Sequence, residues 1–277
     1  MVSGLDKLVY ITREAGLVLS GDRKEIKEAP LSTKTLVMLK YIVTLLRILI
    51  KLLLYSAASL IILITIGAVY QWIAEKQDLK GLPAPGKMID VGDHQLHIQI
   101  NGKGKPVVIL EAASDGSSVN WEWIINEIAK TTTVCAYDRA GHGWSELTGD
   151  PRDAFHISEE LHTLLIRADI EGPFIMVGHS AGALFVKSYQ QRFPETVAGM
   201  VLVDGDNENE LTELTGFNDQ LESDQRFAGN MSTRANIGIP RLIFSIKEPT
   251  KDLGNLQRKQ IKAFWSTSRH WKSLSRN

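Results

Sequence analysis

FIMVGHSAG, residues 174–182, is the stretch whose reading decides the fold. Four apolar residues, Phe174 to Val177, run into Gly178-His179-Ser180-Ala181-Gly182, and a helical pattern follows from Ala181 to Arg192. The pentapeptide matches G-x-S-x-G in the setting that gives it meaning, directly after a strand and opening a helix. Its two glycines allow the sharp strand-to-helix turn that lifts a serine hydroxyl to the carboxyl end of a sheet. The helix it opens presents free backbone N–H groups and the positive end of its dipole, which suit the oxyanion of an acyl-transfer intermediate.

Outward from this turn, short β-rich runs alternate with helical patterns. Strands are expected at Met88 to Val91, His94 to Ile100, Val107 to Leu110, Thr133 to Tyr137, Phe174 to Val177, Met200 to Val203 and Arg241 to Ile246. Helical patterns occupy Trp121 to Lys130, Ser158 to Ala168, Ala181 to Arg192 and Leu253 to Trp265. Continuous apolar strands separated by helices predict a mostly parallel sheet covered on both faces and led by an antiparallel hairpin.

Four segments carry a resemblance to a known family: VVILEAASDGSSVNW (107–121), YDRAGHGWS (137–145), ELHTLLIRADIEGPFIMVGHSAG (160–182) and VAGMVLVD (197–204). In this order and spacing the chain resembles the α/β-hydrolase superfamily, in a branch of bacterial single-domain serine hydrolases, over about residues 87–277. The resemblance implies an α/β-hydrolase fold, a Ser180 nucleophile, and an oxyanion hole formed by the N–H groups of Ala181 and Ala113. Related chains carry glycines where this one has Ala112-Ala113-Ser114-Asp115, so Asp115 either faces the oxyanion or points to water. Asp204, at the end of the strand Met200 to Val203, is a candidate triad acid or a turn-forming residue. Glu248 and Asp252 are the alternative acids. The span between Asp204 and Arg241 would form a lid, here about residues 205–240.

The base is the missing member. His179 lies inside the turn, His94 and His97 in the leading hairpin, and His156 and His162 on a helix. His142 falls in a loop that an Asp138–Arg139 ion pair would hold. The superfamily places its histidine after a last strand that follows the Leu253 to Trp265 helix. Ser268-Arg269-His270 corresponds to the start of that strand, so His270 is a poor candidate, and the loop for the base would begin where Asn277 ends. The expected activity is hydrolysis of an ester or related acyl substrate, impaired in this chain; the rival expectation is a non-catalytic binding or scaffold protein of the same fold.

The first eighty residues are of another kind. Residues 1–34 form a polar leader, and residues 35–51 read as an interfacial helix whose Lys40, Arg47 and Lys51 share a face. Residues 52–73 are expected to cross a bilayer, because Leu52 to Tyr70 carries no charge over about the ~20 residues that ~30 Å of hydrocarbon requires. Tyr70 and Trp72 sit where interfacial aromatics belong, and residues 74–86, ending in Gly81-Leu-Pro-Ala-Pro-Gly86, read as a linker. A small excess of Lys and Arg upstream places the N-terminus in the cytoplasm. A net charge of −1 with no basic stripe excludes nucleic acid as a partner. Cys135, the single cysteine, excludes an internal disulfide and cysteine metal clusters, and its β-rich flanks mark it as core. No metal or organic cofactor is expected; the partners are a small acyl substrate and, through residues 52–73, the bilayer.

Overall fold

The computed structural model describes residues 32–205, 217–247 and 253–276. Glu248 and Asp252, the alternative acids, lie outside the described residues, as do residues 1–31 of the leader. Two compact units divide at Leu63 and Ile64.

Within the first unit, helix α1 (Thr33–Gly81) begins where the Ser32 hydroxyl accepts the Thr35 N–H at 3.3 Å. Its apolar side chains from Leu36 to Leu63 are exposed, so this part of the helix is not a core helix of the protein. The helix is unbroken to Gly81, so no boundary separates an interfacial helix at 35–51 from the span at 52–73. Residues 74–81 of the expected linker are likewise helical.

In the second unit, α1 continues from Ile64. A Cβ on Gly67 would lie 2.5 Å from the Ile237 carbonyl oxygen, so only glycine allows this approach. One turn later Gln71, 2% exposed, donates to the Ser266 carbonyl at 2.8 Å, and Arg241 bonds both Gln71 and Asp78. The indole of Trp144 donates to the Leu82 carbonyl.

A six-stranded sheet follows in the order β1-β2-β4-β3-β5-β6, with β1 (Lys87–Asp90), β2 (Gln95–Asn101), β3 (Val107–Glu111), β4 (Val134–Tyr137), β5 (Phe174–His179) and β6 (Val197–Val203). The β1–β2 and β2–β4 pairs are antiparallel and the rest parallel. Apolar residues alternate between two faces. Ile109 and Met176 pack with Leu161 and Leu164 of α3 (Ala154–Arg167) and Val186 and Tyr189 of α4 (Gly182–Arg192). Val108 and Leu110 pack with Ile125 of α2 (Glu122–Ile128) on the other face. The continuous apolar runs of β3, β4 and β5 thus have the cause expected of them, burial on both sides.

Arg241 to Ile246 is not a strand. It forms helix α6 (Ile239–Ile246), after α5 (Phe217–Ala235) within the expected lid. Gly238, at φ +79°, ends the preceding turn, and Pro240 in the first turn of α6 presets helical φ. Among the described residues the sheet therefore ends at β6, where Met200 to Val203 are 41–49% exposed. The expected start of a last strand is also helical: α7 (Asn255–Trp265) is followed by α8 (Ser268–Leu274), whose N-cap Thr267 accepts the His270 N–H.

Candidate active site

Strand register brings the expected site residues together. Glu111 of β3 pairs with Gly178 of β5, and His179 of β5 pairs with Val203 of β6. The residues that leave these three neighbouring strands are Ala112-Ala113, Ser180 and Asp204, so all three positions converge at the carboxyl ends, where open α/β sheets bind ligands.

Ser180 is half-buried and has φ +52°. This left-handed conformation costs a non-glycine residue about 1 kcal/mol or more. What holds it there is the lack of room around it. A Cβ on Gly178 would sit 2.6 Å from the Gly182 carbonyl oxygen, and one on Gly182 would sit 2.7 Å from the carbonyl oxygens of Glu111 and Ala112. The Ser180 N–H is tied to the Val203 carbonyl at 3.1 Å, and its own carbonyl accepts from Ala183 at 2.9 Å. Asp204, with φ +46°, is exposed.

On the β3 side a buried cation organises the loop. Arg139 pairs with Glu111 and donates to the carbonyls of Ala112 at 2.8 Å, Ala113 at 2.6 Å and Ser114 at 2.9 Å. Tyr137 donates to the same carboxylate. Because the Ala112–Ala113 peptide is planar and trans, fixing the Ala112 carbonyl on Arg139 turns the Ala113 N–H to the opposite side. Among the described residues neither that N–H nor the Ala181 N–H donates to the protein. Asp115 is exposed, so of the two placements open to it the one toward water holds. The expected Asp138–Arg139 ion pair does not form. Asp138 instead accepts from His97 Nδ1 at 2.9 Å and from the N–H groups of Ser118 and Trp144.

The histidines are spent elsewhere. His94 bridges Asp93 and Glu160, His156 sits on Asp153, His162 stacks on Phe193, and His179 meets the Trp121 ring edge-on. His270 is buried against His142, ring centroids 5.1 Å apart, with Trp265 and Trp271 beside it. Among the described residues no ring nitrogen of this pair has a hydrogen-bond partner, and no histidine bonds Ser180. Burial, then Arg269 and Arg139, push the pKa of His270 down to about 3; burial and Arg139 hold His142 well below its ordinary value.

Both rings are therefore neutral in the folded chain and protonated once unfolded below about pH 6.5. The unfolded state binds the extra protons, so stability falls as the pH drops below about 6.5, by about 1.4 kcal/mol per pH unit for each ring, and for His270 the fall continues toward about pH 3. Between pH 7.5 and 5.5 the pair is expected to cost about 3 kcal/mol. His94 works in the opposite sense. Burial opposes its charge, but Glu160 and Asp93 raise its pKa, so its contribution is present below about 6.5 and lost above its folded value. Denaturant titrations across this range should show a shallower acid slope in His270→Leu; an unchanged slope would clear His270 of any role.

Cys135 is buried in β4, and burial pushes its thiol up to about 12, which removes it as a nucleophile. Among the described residues no cluster of three or more His, Cys, Asp or Glu could hold a metal ion. The reading of residues alone missed the Glu111–Arg139 pair. Its signal was present as a carboxylate ending an otherwise apolar strand and a cation placed just after the next one.

Residues 105–267, more than half of the chain, match the family model described as alpha/beta hydrolase fold. The Bacillus subtilis (strain 168) protein YbdG is 23% identical over 157 residues, 56% of this chain and 48% of that protein. A vacuolar membrane protein of Saccharomyces cerevisiae (strain S288c) is 30% identical over 127 residues, 44% of this chain and 20% of that one. The chain thus spans less than half the length of these curated relatives. Among solved structures, the Cif epoxide hydrolase from Acinetobacter nosocomialis superposes with a TM-score of 0.59 at 14% identity, over 75% of this chain and 71% of that one.

Proposed function

The chain belongs to the α/β-hydrolase fold family, and from that premise we propose that it is a membrane-tethered hydrolase of an ester or related acyl substrate, with Ser180 as nucleophile. The observation that carries this reading is the positive φ of Ser180 between two glycines that have no room for a Cβ. A serine held there in a strained turn, beside two N–H groups with no acceptor among the described residues, fits acyl transfer: the hydroxyl attacks a carbonyl, and the N–H groups of Ala181 and Ala113 receive the oxyanion. Asp204 is the candidate acid.

No histidine among the described residues bonds Ser180, so these residues supply the hydroxyl with no assembled base. Loss of a triad base leaves about 10³–10⁴-fold catalysis over water, supplied by the oxyanion hole and binding. Added imidazole should therefore accelerate p-nitrophenyl ester hydrolysis by the detergent-solubilised chain beyond the imidazole-only blank. Acceleration absent at every imidazole concentration, together with inert Ser180, would favour the binding or scaffold reading instead.

The tether is α1, one helix long and apolar enough to cross a membrane, and a membrane protein among the relatives agrees with it. The full chain is expected to stay with membranes through a salt wash. The N-terminus is cytoplasmic and the hydrolase domain lies on the other side. Chains beginning at residue 64 and at residue 81 should differ in stability, because the second also removes Gln71 and Asp78, with their bonds to Ser266 and Arg241. Losing those bonds is expected to cost about 2–3 kcal/mol, read as a shift in denaturation midpoint. Equal midpoints would show that the end of α1 contributes nothing to the domain.

A further inference from the structure

We propose that a second site, apart from Ser180, binds the hydrocarbon chain of a bilayer amphiphile in the cavity at the foot of α1. The cavity measures about 660 Å³, and Ser180 is not among its lining residues. That volume falls within the ~300–1,000 Å³ typical of small-molecule sites. Its walls are mostly apolar: Leu79 of α1 and Leu82 just beyond it, Met88 of β1, Trp144, Leu147 and Phe264 of α7.

The charged residues at its edge are already engaged within the protein. Asp78 is paired with Arg241, and Glu75 accepts from Gln71. Glu146 accepts the Gln95 N–H, and Arg269 donates to the carbonyls of Gly143 and Ser145. A ligand that fills this space meets mainly apolar side chains, with its charged neighbours already engaged, so hydrocarbon fits it better than a polar solute, which would lose hydration there.

Position supplies the source of that hydrocarbon. Glu75, Asp78 and Leu79 recur at helical spacing, so one stripe of α1, continued by Leu82 just after its end, forms the wall. Tyr70 and Trp72 are exposed on the same helix, where amphipathic aromatics mark the headgroup level. Lys76 stacks on Trp72 with its ammonium 3.8 Å from the ring centroid. At ~1.5 Å per residue Leu79 stands only about 10 Å beyond Trp72, within reach of a chain that leaves the headgroup layer. Leu79 and Met88, 64% and 37% exposed, give the cavity an apolar mouth.

This inference rests on the tether proposed above, and its test separates the two. The full chain is placed in phosphatidylcholine nanodiscs containing a trace of phospholipid with a diazirine-bearing acyl chain, and the crosslinked peptides are mapped. A parallel sample in detergent receives a diazirine-bearing free fatty acid. Crosslinks are expected at 79–88, 144–147 and 263–269, and should fall about tenfold in Leu79→Glu, which adds a charge at the mouth, and in Ala84→Trp, which fills the cavity. Crosslinks along 52–70 should persist in both variants, reporting the tether alone. Cavity labelling by the free acid but not by the phospholipid would assign the chain to free amphiphiles. Crosslinks confined to α1 before Leu79, or cavity crosslinks undiminished in both variants, would overturn the proposal even where the protein remains in the nanodisc.

Discussion

Ser180→Ala is expected to abolish the imidazole-accelerated ester turnover, taking it to the blank, with a melting temperature essentially that of the parent. The variant removes one oxygen from a half-buried turn and no hydrogen bond among the described residues, since the turn is held by the Ser180 backbone on Val203 and Ala183. Alanine has the same cost as serine in the left-handed conformation, so the strain is unchanged. Chemistry and stability are thereby separated: only the nucleophile is lost. Turnover retained in Ser180→Ala would place the reaction on another group.

Arg139→Ala is expected to damage both the fold and the site. The guanidinium faces the Glu111 carboxylate, itself 1% exposed, and three successive loop carbonyls. Removing it leaves a buried carboxylate with Tyr137 alone, and breaking a buried pair from one side typically costs about 3–5 kcal/mol. In a domain of this size that is a fall of about 10 °C in melting temperature. The Ala112–Ala113 peptide is freed as well, so reaction at Ser180 should slow by about 10²-fold, the effect of losing one oxyanion donor. Glu111→Gln in the Arg139→Ala background should recover part of the stability and none of the rate. A melting temperature unchanged from the parent in Arg139→Ala would show that the pair does not hold the loop.

How much of this was legible beforehand depends on the range over which each feature is decided. The turn at 178–182 was readable because its constraint is local: a serine at positive φ needs glycines beside it, and both are in the pentapeptide. Val107 to Leu110 and Phe174 to Val177 were readable as strands because burial on both faces demands unbroken apolar runs. Arg241 to Ile246 was not, since six mostly apolar residues fit either period, and the outcome was set by Gly238 and Pro240 around its start. Arg139 was matched to its neighbour Asp138, whereas its partner Glu111 lies 28 residues away and becomes adjacent only through the β3–β4 pairing. Gln71 passed unnoticed as one polar residue after an apolar run, and its role depends on Ser266 and Arg241, nearly two hundred residues downstream. His270 lies on a helix against His142 rather than at the start of a strand, a contact that joins a helix to a loop far away in the chain and leaves no local pattern.

The central claim, that Ser180 is the nucleophile of a prepared acyl-transfer turn, is tested most directly by peptide mapping after treatment of the detergent-solubilised 277-residue chain with a fluorophosphonate in the presence of imidazole. The account predicts a single adduct on the peptide containing Ser180, absent from Ser180→Ala; no adduct under any condition, or an adduct on another residue that persists in Ser180→Ala, would contradict it.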